Sequence, residues 1–136
     1  MKKYIWLLFL VASSAFGQSY STFNFTTTQR NTNTMIWNKY SDEWDFSDNN
    51  DRGYVFVEWR FTLNNVTGEG TLRAGNMSYD VLSTERKTGN DGSPVTSMVI
   101  QSVADGRKMN LLITGNPSDV FIGIYDNLNR TSYYYY

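Results

Sequence analysis

An all-β fold is what this sequence predicts, an antiparallel meander of about seven or eight short strands forming a small barrel or a sandwich. Three observations carry it. Tyr54–Leu63 alternates almost perfectly, with Val55, Val57, Trp59, Phe61 and Leu63 on one parity and Glu58, Arg60 and Thr62 on the other. Further short apolar runs recur along the chain, separated by residues that favour turns. No stretch carries a convincing helical apolar period.

The elements follow in chain order. Lys2 and Lys3 precede an apolar run, Tyr4–Ala12, and then the small residues Ser13, Ser14, Ala15 and Gly17. This is the three-part pattern of a secretory signal peptide, with cleavage expected before Gln18. The run is too short to span a bilayer as a helix, and no later segment is apolar enough to do so. Residues 1–17 are therefore expected to be a leader and residues 18–136 a single all-β domain, exported to the periplasm or the extracellular space.

Thr22–Thr28 reads as a strand, with Phe23 and Phe25 in phase. Thr26–Thr34 holds no apolar residue and reads as an edge strand or a loop. In Met35–Phe46 the spacing of Ile36, Tyr40 and Trp44 suits a helical face, whereas Trp44 and Phe46 alternate as in a strand. Two short strands around a Lys39–Asp42 turn are the favoured reading. Then come the long alternating strand, a brief one at Gly70–Arg73, and Met77–Ser83. Val95–Val103 and Lys108–Thr114 are expected to form a hairpin about Asp105-Gly106, which predicts a type I′ turn. Val120–Tyr125 sets Val120, Ile122 and Ile124 on one face and Phe121 and Tyr125 on the other. With Tyr79, Asp105-Gly106-Arg107 and the alternating Val55–Leu63 run, this order of runs and turns resembles a loosely defined set of small exported bacterial proteins of unknown function. No functional residue is implied by that resemblance.

Composition removes several chemistries. The 136 residues include no Cys and no His, which excludes thiol nucleophiles, disulfides, Cys/His zinc sites and any imidazole base. A net charge of −1 gives no basic footprint for nucleic acid. Carboxylates are the catalytic equipment that remains, and Asp42, Glu43, Asp45, Asp48 and Asp51 crowd together beside Trp44 and Phe46. Sequence neighbours such as Asp42 and Glu43 face opposite ways in a strand, so a solvated acidic loop is the expected reading and a glycan hydrolase the weaker one. Asp48, Asn50 and Asp51 before Gly53 lack the alternating spacing of a calcium loop, and Arg52 stands where an oxygen ligand is needed. No metal, no cofactor and no catalytic residue is expected.

Two groups of aromatics are candidate binding residues. Trp37, Tyr40 and Trp44, with Asn38 and Asp42 beside them, offer flat rings and hydrogen-bonding groups for a polar ligand. The alternative is that the two tryptophans cap one end of the core. Tyr133, Tyr134, Tyr135 and Tyr136 follow one another at the end of the sequence. A strand there puts rings on both faces, one covering the core and one free to meet a partner. Met77, Met98 and Met109 could line a pocket for an apolar ligand or fill gaps in the core. The expectation is an exported, non-enzymatic binding or interaction module whose partner is a protein, a glycan or a small apolar ligand. A barrel that carries the apolar ligand inside is the alternative.

Overall fold

Strict alternation builds the first strand. In β1 (Tyr20–Asn38), Ser21, Phe23, Phe25 and Thr27 are buried while Thr22, Asn24 and Thr26 are exposed, the period of two that a half-buried strand requires. The computed structural model describes residues 19–46, 51–116 and 119–136, apart from the side chains of residues 36–38, 44, 46, 51 and 116. The expected leader, together with Asp48 and Asn50, lies outside the described residues.

The strands that follow are β2 (Glu43–Phe46), β3 (Asp51–Asn64), β4 (Gly70–Ala74), β5 (Met77–Thr88), β6 (Pro94–Ser102), β7 (Lys108–Asn116), β8 (Asp119–Asp126) and β9 (Thr131–Tyr135). Each neighbouring pair is antiparallel, and β9 returns to pair with β1, from Arg30↔Tyr135 to Thr34↔Thr131. That pairing closes eight strands into a barrel and decides against the sandwich. The remaining strand, β2, pairs with β1 past the end of the β1–β9 register.

The long polar stretch of β1 is no edge. Arg30, Asn31 and Thr32 are paired on one side with β3 and on the other with β9. Barrel closure explains this: it removes the edge, and β-branched Thr fits a pleated surface without needing to be apolar. Register shifts between Thr27 and Gln29 on β1, and between Val81 and Ser83 on β5, mark bulges that bend strands enough to close the sheet. At the first bulge the Thr28 and Gln29 amides both donate to the Tyr136 carbonyl, at 3.0 and 2.9 Å, and the Tyr136 amide donates back to Gln29.

The apolar parity of every long strand points inward. Trp59, Phe61, Leu63, Ile100, Leu111 and Ile122 are each at most 1% exposed. Aromatic rings fill the middle: Phe23 stacks on Phe61 at 5.1 Å and Tyr135 meets Trp59 edge-on at 4.9 Å. The buried indole N–H of Trp59 donates to Thr27 Oγ1 at 2.9 Å, so the one polar atom of that ring is satisfied inside the core.

Two expectations are corrected. The Asp105-Gly106 turn is not type I′: only Gly106 has a positive φ, 74°, and the Gly106 amide donates to the Ser102 carbonyl across a longer loop. Type I′ demands positive φ at both central residues, whereas Asp105 instead accepts from the Arg107 amide with its side chain. Met98 and Met109 are buried, but Met77, at the first position of β5, is 46% exposed and lines no interior. Gly70 sits in β4 because a Cβ there would fall 2.0 Å from the Thr62 carbonyl oxygen, a close approach that only glycine allows.

Candidate functional site

The strand of consecutive tyrosines is positioned by one buried carboxylate. Asp126 closes β8 and is 1% exposed. Its Oδ1 accepts from the amides of Leu128 (3.1 Å) and Asn129 (3.2 Å). Its Oδ2 accepts from Arg107 Nη1 (2.7 Å) and Asn129 Nδ2 (2.9 Å). Four donors, one of them the Arg107 cation, make burial of the charge tolerable and fix the turn that starts β9. Arg130 completes that turn in the left-handed region, with φ 52°.

From there β9 alternates. Tyr133 and Tyr135 pack against the core, and Tyr134 takes the other parity. Burial raises the Tyr135 and Tyr79 phenols above their ordinary value, with Arg30 beside Tyr135 and Arg107 beside Tyr79 opposing part of that rise. Both phenols are therefore neutral at physiological pH and serve as hydrogen-bonding groups, not as bases. Asp105, held low chiefly by the Arg107 amide, is a carboxylate throughout that range. This end of the barrel is polar, with Arg107 bridging Asp105 at 3.1 Å and Asp126 at 2.7 Å. Such a set can bind and orient hydrogen-bonding groups.

The outer parity makes a different surface. Phe121 stacks on Tyr134 at 5.7 Å and on Tyr136 at 6.4 Å, and Tyr125 meets Tyr134 edge-on at 5.9 Å. Gly123, between Phe121 and Tyr125 on β8 and opposite Tyr134, makes the cluster possible. A Cβ there would stand 2.9 Å from the Tyr125 hydroxyl, so the Tyr125 ring lies over the bare glycine. Burial, and a hydrogen bond with the Tyr134 phenol, raise Tyr125 as well. Phe121 and Tyr136 remain 37% and 45% exposed. Sequence reading placed Tyr133–Tyr136 at an interaction surface but missed Phe121 and Tyr125 as their neighbours; the parity of β8 was the available signal.

The other predicted group lies on a hairpin. Trp37 and Trp44 are backbone partners on β1 and β2, on either side of the expected turn, residues 39–42. Their side chains are outside the description. Tyr40 is 90% exposed at the tip, with Lys39 Nζ 5.5 Å from its ring centre. Glu43 and Asp45, also exposed, share one parity of β2, and Asp42 adopts a positive φ of 57° in the turn. Among the described residues, no three acidic side chains gather as a metal site would need, and no helix is long and apolar enough to cross a membrane.

Compared with protein-family models, curated proteins and solved structures, the chain matches none.

Proposed function

We propose that this chain is an exported, non-enzymatic binding module whose partner-binding face is the outer aromatic cluster of β8 and β9. The observation that carries the reading is the set Phe121, Tyr125, Tyr134 and Tyr136, rings in mutual contact on the outside of the barrel, where Tyr54 and Phe56 on β3 are the other exposed strand rings of the described wall beside Tyr20 at the start of β1. Large rings with few rotatable bonds give much contact area for little entropy, the property of binding hot spots. A protein surface or a glycan is the class of partner such a face suits.

The outward parity of β3, β4, β5 and β7 carries Glu58, Arg60, Arg73, Asp80 and Lys108, all exposed, with Tyr54 and Phe56 as exposed rings on the same parity of β3. A lipid-facing barrel has the reverse arrangement, apolar outside and polar within, which supports a barrel bathed in water. The carrier reading is weaker, because Trp59, Phe61, Phe23 and Tyr135 occupy the space an interior ligand would need.

The test is affinity capture from the protein's own source, using wild type and the double variant Phe121→Ser/Tyr136→Ser in parallel. The proposal expects a stoichiometric partner with wild type, lost in the variant while its unfolding midpoint stays measurable and cooperative. The same partners with both proteins, or none with either, would count against the face.

A further inference from the structure

β3 and β4 set two arginines directly opposite each other on the outer wall, Arg60↔Arg73. Like charges at such a position weaken the strand pair. Arg60 donates its Nε–H to Asn24 Oδ1 at 3.3 Å, and Arg73 donates its Nε–H to the Gly75 carbonyl at 3.4 Å. Both acceptors are neutral, and among the described residues neither arginine makes an ion pair or offers its Nη groups to an acceptor. Each guanidinium is thus anchored at one nitrogen with its outer N–H groups unused.

The two side chains line a single cleft of about 390 Å³ together with Asn24, Thr26, Glu58 and Gly75. The cleft exists because β4 stops at Ala74, and Gly75 turns the chain there with nothing within 4 Å of where its side chain would be. Glu58 supplies one negative charge against two positive ones, leaving the cleft cationic.

We propose that this cleft binds a tetrahedral oxyanion, a phosphate or sulfate group, shared between Arg60 and Arg73. Guanidinium forks match such anions in pairs of parallel hydrogen bonds, and a tetrahedral group has oxygens for two forks where a carboxylate is satisfied by one. Bound there, the anion replaces repulsion between the arginines with attraction to both. Asn24 and Thr26 add neutral polar groups, and Glu58 accepts from a hydroxyl when the oxyanion is carried as an ester on a sugar. This site lies on β3 and β4 and does not depend on the aromatic face of β8 and β9.

The experiment uses inorganic phosphate, inorganic sulfate and glucose 6-phosphate as probes, on wild type, Arg60→Gln, Arg73→Gln and the control Lys108→Gln. Thermal midpoints are measured as each probe replaces chloride at constant ionic strength. Phosphate and sulfate stabilise most proteins by exclusion from the surface, so the difference between variants is what is read. The expected result is a saturable rise in wild type and Lys108→Gln that Arg60→Gln and Arg73→Gln lack, with calorimetric affinity falling at least about tenfold in either arginine variant. In chloride alone the arginine variants should be no less stable than wild type. Tighter binding of glucose 6-phosphate than of phosphate would identify a sugar ester as the source of the oxyanion, and equal binding the free ion. A rise of the same size in all four proteins, or no saturable binding of any probe, would overturn the proposal.

Discussion

Thr27→Val isolates one hydrogen bond in the middle of the core. Thr27 and Trp59 are each 1% exposed, and the indole N–H reaches Thr27 Oγ1 at 2.9 Å. Valine keeps the branched shape and nearly the volume, so no cavity opens. The loss is therefore the bond itself, with the indole N–H left buried and unpaired at about 1–3 kcal/mol. Removing a buried hydroxyl returns part of that, so the net loss should be about 1–2 kcal/mol. For a domain of this size that is a fall of about 5–10 °C in the thermal midpoint. Urea unfolding followed by tryptophan fluorescence measures it, and an unchanged m-value would show that the unfolded state is unaltered. The control is the same substitution in a Trp59→Phe background, where no N–H remains to be stranded. There Thr27→Val should be neutral or mildly stabilising, giving a coupling of about 1–2 kcal/mol. A Thr27→Val protein as stable as wild type, or an equal loss in both backgrounds, would refute the account of this core.

Other outcomes follow from the same geometry. Gly70→Ala drives a methyl group against the Thr62 carbonyl, 2.0 Å away, and should cost about 2–3 kcal/mol in urea unfolding by prising β4 from β3. Phe121→Ser alone, losing two ring contacts on a part-exposed face, should cost only about 1 kcal/mol while weakening partner capture. Tyr79 and Tyr135 are raised by burial above the value of 10.0 that applies once unfolded. The folded state then holds these protons more tightly, so stability is complete below about pH 10 and declines as pH climbs through the folded values. Tyr79→Phe should flatten that alkaline limb when urea midpoints are compared from about pH 8 to 12. An identical limb in the variant would show that Tyr79 does not contribute.

Much of the fold was legible because period-two patterning survives wherever one face of a strand is buried. The Val55–Leu63 wall announced β3, and the runs around Met98, Leu111 and Ile122 announced β6, β7 and β8. The turn at residues 39–42 was also readable from its polar residues between two aromatic-bearing segments. What local pattern could not supply was closure. Pairing of Arg30 with Tyr135 joins residues far apart in sequence, and Thr26–Thr34 has no apolar side chain to betray its place between two neighbours. Asp126 was equally silent, since its burial depends on Arg107 arriving from another hairpin. The tyrosines were conspicuous as a run, and alternation correctly assigns them to two faces. Their aromatic neighbours and the opposed arginines became visible only once the register was known.

Closure of the barrel by β9 against β1 is what gives the tyrosine strand its inner and outer faces. Amide hydrogen exchange and cross-strand nuclear Overhauser contacts, recorded on the same sample, test it most directly. Closure predicts slow exchange at the Thr28, Gln29 and Tyr136 amides, and contacts between Asn31 and Tyr134 and between Thr32 and Tyr133. Rapid exchange along residues 131–136, with no contact from those residues to β1, would mean an open sheet and would remove the basis for both faces of the tyrosine strand.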